Sequence, residues 1–136
     1  MSASMLMGVL LLPLSAGVQA AERFKPFVLG SKGPGDFQAR VDETRASLIG
    51  AGFEVLGEYS PYSNTFVDNA AVIVVTNDEL KKAATKTKYG GFAAPWRVAV
   101  TQVGNEIQVA YVNPAFIAKA YRLKADLNGV SQALKA

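Results

Sequence analysis

The chain of 136 residues contains no cysteine and no histidine, and its only methionines are Met1, Met5 and Met7. Each absence removes a class of chemistry. Without cysteine there is no disulfide and no thiolate nucleophile. Without histidine, neither a Ser–His–Asp nor a Cys–His nucleophile system can be assembled. Haem, copper, iron–sulfur and zinc centres draw mainly on those same side chains, and beyond residue 20 the sequence offers none of the three. Oxygen-ligated calcium remains open in chemistry, yet no loop carries the clustered acidic residues it requires. No metal and no cofactor is therefore expected. Charge is also sparse: 14 Lys and Arg against 11 Asp and Glu leave a net +3. That excess suits solubility and a weak attraction for anions. It falls short of the dense basic stripe of a nucleic-acid binder, so nucleic acid is not an expected partner.

What is present begins with an apolar run, "MLMGVLLLPL", closed by Pro13 and followed by "SAGVQA". The run is too short to span a bilayer comfortably. Ala16, Val18 and Ala20 supply the small side chains that a signal-peptidase site admits, so residues 1–20 are expected to be an export signal cleaved after Ala20. The n-region carries no Lys or Arg, which departs from that pattern. No cysteine follows the run, which excludes lipoprotein processing. Residues 21–136 then have the size of a single domain, expected in the periplasm or secreted and free of the membrane once the signal is removed.

The remainder alternates strand and helix patterns. "RFKPFVLGSKG" is a short strand candidate, with Pro26 at its start or on an edge. Asp36 is a plausible N-cap for a helix whose Phe37, Val41, Thr44, Leu48 and Ile49 recur at helical spacing and which stops at Gly50 and Gly52. "FEVLGEYS" alternates, with Phe53, Val55, Gly57 and Tyr59 on one side and Glu54, Leu56 and Glu58 on the other. "AAVIVVT" is a continuous apolar run, the pattern of a strand covered on both sides. Asn77 caps a second helix that runs to Gly90 and Gly91, with Leu80 and Ala83 inward. Lys81, Lys82, Lys86 and Lys88 gather toward its C-terminal half, where the helix dipole favours cations. "WRVAVTQV" and "EIQVAYV" flank Gly104-Asn105, a hairpin signal that fixes the pairs Val103–Glu106, Thr101–Gln108, Ala99–Ala110 and Val98–Tyr111. Asn113-Pro114 opens a helix with Phe116, Ala120 and Leu123 on one face, and Asp126 is placed to cap a last short one. The order β-α-β-β-α-β-β-α-α predicts a two-layer α+β domain with a mostly antiparallel sheet.

Several stretches together resemble the family catalogued as domain of unknown function 302. They are "GAGFEVLGE" at the end of the first helix, "AVIVVTN" before the lysine-bearing helix, the strand "RVAV", and "VAYVNPAFIAKAY", and the resemblance runs from about Arg23 to Gln132. It implies an α+β sandwich-like domain of the kind found in exported or small stand-alone bacterial proteins. It implies no established activity and no catalytic residues.

Function must therefore be sought in surface constellations. In "YGGFAAPWRVAV" the hairpin register puts Arg97 on the face opposite Trp96, beside the small residues Ala99 and Ala110. Two readings are open. In the first, a helix packs closely on the alanines and Arg97 bridges to its Asp42 or Glu43. In the second, the space is a shallow pocket and the guanidinium anchors a carboxylate or phosphate. Tyr59 and Tyr62, with Ser60, Ser63 and Asn64, form a second constellation suited to adaptable recognition. Glu54 and Glu58, on one strand face flanking Leu56, could reach the separation that carboxylate catalysis needs, a spacing very common on solvated strands. The expectation is an exported, non-enzymatic module that binds a small molecule, anionic if Arg97 is its anchor. Candidate ligand-binding residues are Arg97, Tyr59, Tyr62, Ala99 and Ala110. The alternative is a protein-interaction or assembly module of the cell envelope, with a homodimer among the assemblies open to it.

Overall fold

The computed structural model describes residues 25–61 and 66–135. The expected export signal, and Tyr62, Ser63 and Asn64, lie outside the described residues. The elements follow the expected order: β1 (Phe27–Gly33), α1 (Phe37–Gly50), β2 (Glu54–Tyr59), β3 (Asn69–Thr76), α2 (Asp78–Thr85), β4 (Trp96–Val103), β5 (Glu106–Val112), α3 (Pro114–Ala120) and α4 (Asn128–Ala133). The strands form a single antiparallel sheet in the order β1-β5-β4-β3-β2.

Local chemistry starts the helices where the sequence places them. The Asp36 carboxylate accepts from the Ala39 amide at 2.8 Å, and the Asn77 side chain accepts from Leu80 at 2.9 Å. Each satisfies an amide that the helix itself cannot pair. Asn113 is buried and works twice: its oxygen accepts from the Ala115 amide at 3.1 Å and its nitrogen donates to the Lys25 carbonyl at 2.7 Å. The cap of α3 thus also ties down the chain entering β1. In the hairpin, Gly104 adopts φ +56°, a left-handed conformation that glycine takes without steric cost. The register around it matches the expected pairs.

The core lies on one side of the sheet. Ala71, Ile73 and Val75 of β3, Trp96, Val98 and Val100 of β4, and Ile107, Val109 and Tyr111 of β5 pack with Val41 and Leu48 of α1, Leu80 and Ala83 of α2 and Val130 of α4. Trp96 is buried and its indole N–H donates to the Val112 carbonyl at 3.0 Å, so its polar atom is paired. The loop before it is held by Gly90, where a β-carbon would fall 2.3 Å from the Ala84 carbonyl oxygen.

Several local expectations need correction. The β3 run is apolar throughout, but helices cover only one of its faces, and Val72 and Val74 on the other are half-buried. In β2 the register shifts between Val55 and Gly57, so strict alternation fails: Val55 pairs with Val75 on the core side, whereas Tyr59 pairs with Val72 on the opposite side. Glu54 and Glu58 are not a carboxylate pair. Lys81 holds Glu54 at 3.0 Å, and Arg45 of α1 holds Glu58. Helix α2 ends at Thr85, and Gly90–Ala93 forms a separate 3-10 turn. Ile49 is exposed, and α3 turns Ile117 and Ala118 to the core in place of Phe116 and Ala120.

Candidate ligand-binding face

The face of the sheet without helices is built by the alternate residues of the same strands. Across β3 and β4, Ala70 faces Thr101, Val72 faces Ala99 and Val74 faces Arg97. Ala99 faces Ala110 of β5, and β1 adds Phe27 opposite Val112 and Leu29 opposite Ala110. β2 contributes Tyr59 beside Val72. Because the centre is lined with alanines and the margins with larger residues, the face is a trough. Its cavity of about 620 Å³ is lined by Phe27, Tyr59, Val72, Arg97, Ala99, Ala110 and neighbouring residues. That volume falls within the range of small-molecule sites, about 300–1,000 Å³.

Among the described residues, Arg97 is the only cation in the lining. It is exposed, and among the described residues it has no ion-pair or hydrogen-bond partner. The first reading of Arg97, a bridge to Asp42 or Glu43, is thereby overturned. Helix α1 lies on the other side of the sheet, where Asp42 pairs with Arg45 at 2.7 Å and Glu43 with Arg40 at 3.3 Å. Alternation along β4 explains the separation: Trp96 and Val98 point to the helices, so Arg97 cannot.

Of the residues singled out in the sequence, Arg97, Ala99, Ala110 and Tyr59 thus share one cavity. Tyr59 joins it through the β2 bulge, by a route that simple alternation did not foresee. Tyr62 lies outside the described residues. Sequence reasoning missed Phe27 and Val72. Their inclusion depends on β1 pairing with β5 and β3 with β4, long-range contacts that no local pattern announces. The lysines that the sequence gathered toward the end of the second helix are dispersed: Lys81 in α2 is paired with Glu54 and Asp78, while Lys88 lies beyond the helix with its ammonium 5.4 Å from the centre of the Tyr89 ring.

The fold is a two-layer α+β sandwich with one sheet face left open among the described residues. No family model and no curated protein matches the chain. Among solved structures it is similar to the crystal structure of an uncharacterized conserved protein, DUF302, from Bacillus stearothermophilus. The TM-score is 0.63 at 14% identity, covering 79% of this chain and 86% of that one. The likeness shows a shared fold, the one that the sequence resemblance implied.

Proposed function

We propose that the chain is an exported binding module of the family it resembles, and that its open sheet face holds a small amphipathic anion: an apolar body with a carboxylate head. The observation that carries this reading is the unpaired Arg97 at an otherwise apolar trough. A guanidinium beside low-dielectric walls attracts a carboxylate more strongly than one in open water, and its planar fork matches two oxygens. Phe27, Val72, Ala99, Ala110 and Val112 offer the apolar body a surface from which it displaces water. The residues lining the trough include no acid–base pair, so the reading is binding without catalysis.

A protein-docking face is the competing reading, favoured by the exposure of Phe27 (63%), Leu29 (55%) and Tyr59 (47%) on this side. Such a partner would have to bring a carboxylate to Arg97. A two-fold pairing of identical faces would instead set two arginines in apolar surroundings, at a cost in desolvation.

Calorimetric titration with decanoate, and with decanol as the uncharged control, tests the proposal. Decanoate is expected to bind saturably and decanol far more weakly. Arg97→Met, which keeps an apolar stem, is expected to cost roughly 2–5 kcal/mol of affinity. No heat with decanoate, or equal affinity in the mutant, rejects the anion reading. Mass that rises with concentration in light scattering, and falls back on Phe27→Glu, would transfer the face to protein docking. The export component is checked by the amino terminus of protein from its native host, expected at Ala21. An intact Met1 in a membrane fraction would refute it.

A further inference from the structure

On the helix side of the sheet a smaller cleft of about 260 Å³ opens between β1, α1 and the end of the chain. Its floor is apolar, from Leu48, Val98 and Val109, and its polar lining includes Arg40, Glu43, Tyr111 and Lys135 with the hydroxyls of Ser31, Thr44 and Ser47. Tyr111 is the informative one. The residue is only 5% exposed, yet its hydroxyl has no hydrogen-bond partner among the described residues. Every fully enclosed side-chain nitrogen or oxygen among those residues does have a partner. The Tyr111 hydroxyl must therefore reach open space, and the cleft it lines supplies that space. The bulge in β1 makes this arrangement: the register shifts between Leu29 and Ser31, and Gly30 lies there with the Tyr111 ring 3.4 Å from where a β-carbon would stand.

In the lining of the same cleft, the Arg40 guanidinium donates to the Ser31 hydroxyl at 3.4 Å and pairs with Glu43 at 3.3 Å. These contacts engage two of its three nitrogens and leave further N–H donors of the fork unused. Three-quarters of the Arg40 side chain is buried, while Glu43 is largely exposed at the mouth (24% and 71% side-chain exposure). The Tyr111 hydroxyl and the free N–H groups of Arg40 are thus donors still available in the cleft, while the Glu43 carboxylate stands at its mouth. We propose that this cleft is a second small-molecule site, taking a short-chain carboxylate whose oxygens accept from the Tyr111 hydroxyl and the Arg40 guanidinium while its alkyl end lies on Leu48, Val98 and Val109. One water, whose share of the liquid is about 30 Å³, would leave most of the cleft unfilled and the apolar floor uncovered. Burial raises the Tyr111 pKa above its ordinary value, which keeps the phenol protonated and able to donate at neutral pH. The site lies on the opposite side of the sheet from Arg97, so the two stand or fall separately.

Butyrate is a suitable probe and butanol its control, followed by amide shifts in nitrogen-15 NMR of the purified protein. Saturable butyrate shifts are expected at Gly30, Ser31 and Tyr111, with no saturation by butanol. Tyr111→Phe removes only the hydroxyl and is expected to fold normally while weakening butyrate at least tenfold. Arg40→Gln should weaken it likewise, which provides a second reading if the first variant folds poorly. Absent or unsaturable shifts at these residues overturn the proposal, as does unchanged affinity in both variants. Shifts confined to Arg97, Ala99 and Ala110 overturn it too, and assign butyrate to the open face.

Discussion

The two faces of the sheet are made by adjacent residues of the same strands, yet they differ in what covers them. On one, Ile73, Val75 and Val100 are sealed beneath helices, with Ile73 at 0% exposure. On the other, Val72, Ala99 and Ala110 are only half-buried, and no helix of the described residues lies over them. An antiparallel sheet with one wet face ordinarily turns polar residues to the water. Here the uncovered face stays apolar. An exposed apolar patch of this kind is the surface on which the proposed binding rests. The contrast teaches that strand hydrophobicity alone does not reveal how many layers a fold has.

The contrast can be broken by matched substitutions. Ile73→Ala is expected to cost about 2–5 kcal/mol in chemical denaturation, because it opens a cavity in sealed packing. Val72→Ala, one residue away, is expected to cost less than about 1 kcal/mol, since its surroundings are already open to water. Equal costs would mean that the second face is covered in solution. Arg97→Met comes next. With no protein partner to strand, it should leave stability within about 0.5 kcal/mol of wild type. A loss of about 3–5 kcal/mol would reveal a carboxylate bound to it within the fold.

The smallest effect concerns pH. Glu106 has its pKa held below the ordinary 4.5, first by a hydrogen bond from Gln108 and then by one from Lys32. A carboxylate with a depressed folded pKa adds stability above its unfolded value, and that stability is lost as the pH falls through the folded value. Denaturation midpoints followed downward from pH 5 should therefore fall less steeply in Glu106→Gln than in wild type. Parallel curves would show that the hairpin end draws nothing from this charge.

Much of this fold was legible because its signals are local. Asp36, Asn77 and Asn113 are caps whose chemistry is complete within a few residues, and Gly104-Asn105 sets a register by its own turn geometry. Counting outward from that turn is enough to put Arg97, Ala99 and Ala110 on one face. What stayed hidden depends on distant partners. The side on which α1 docks is a choice between two apolar faces, and "AAVIVVT" suits either. The β2 bulge adds one residue to one strand only, and its one local sign within "EVLGEY" is Gly57, an isolated strand glycine that simple alternation does not use. The Tyr111 cleft requires Gly30, 81 positions upstream by residue number (111 − 30), to lie against its ring.

The two bulges have a consequence for solubility. Among the described residues β1 and β2 are the outermost strands, and an outermost strand presents backbone groups that another chain could extend. Both are interrupted, between Leu29 and Ser31 and between Val55 and Gly57, and charged residues stand along them: Lys32 on one, Glu54 and Glu58 on the other. A kinked, charged border is a poor template for strand-by-strand growth. Such margins let the sheet keep an apolar surface exposed without seeding strand-by-strand growth along its edges.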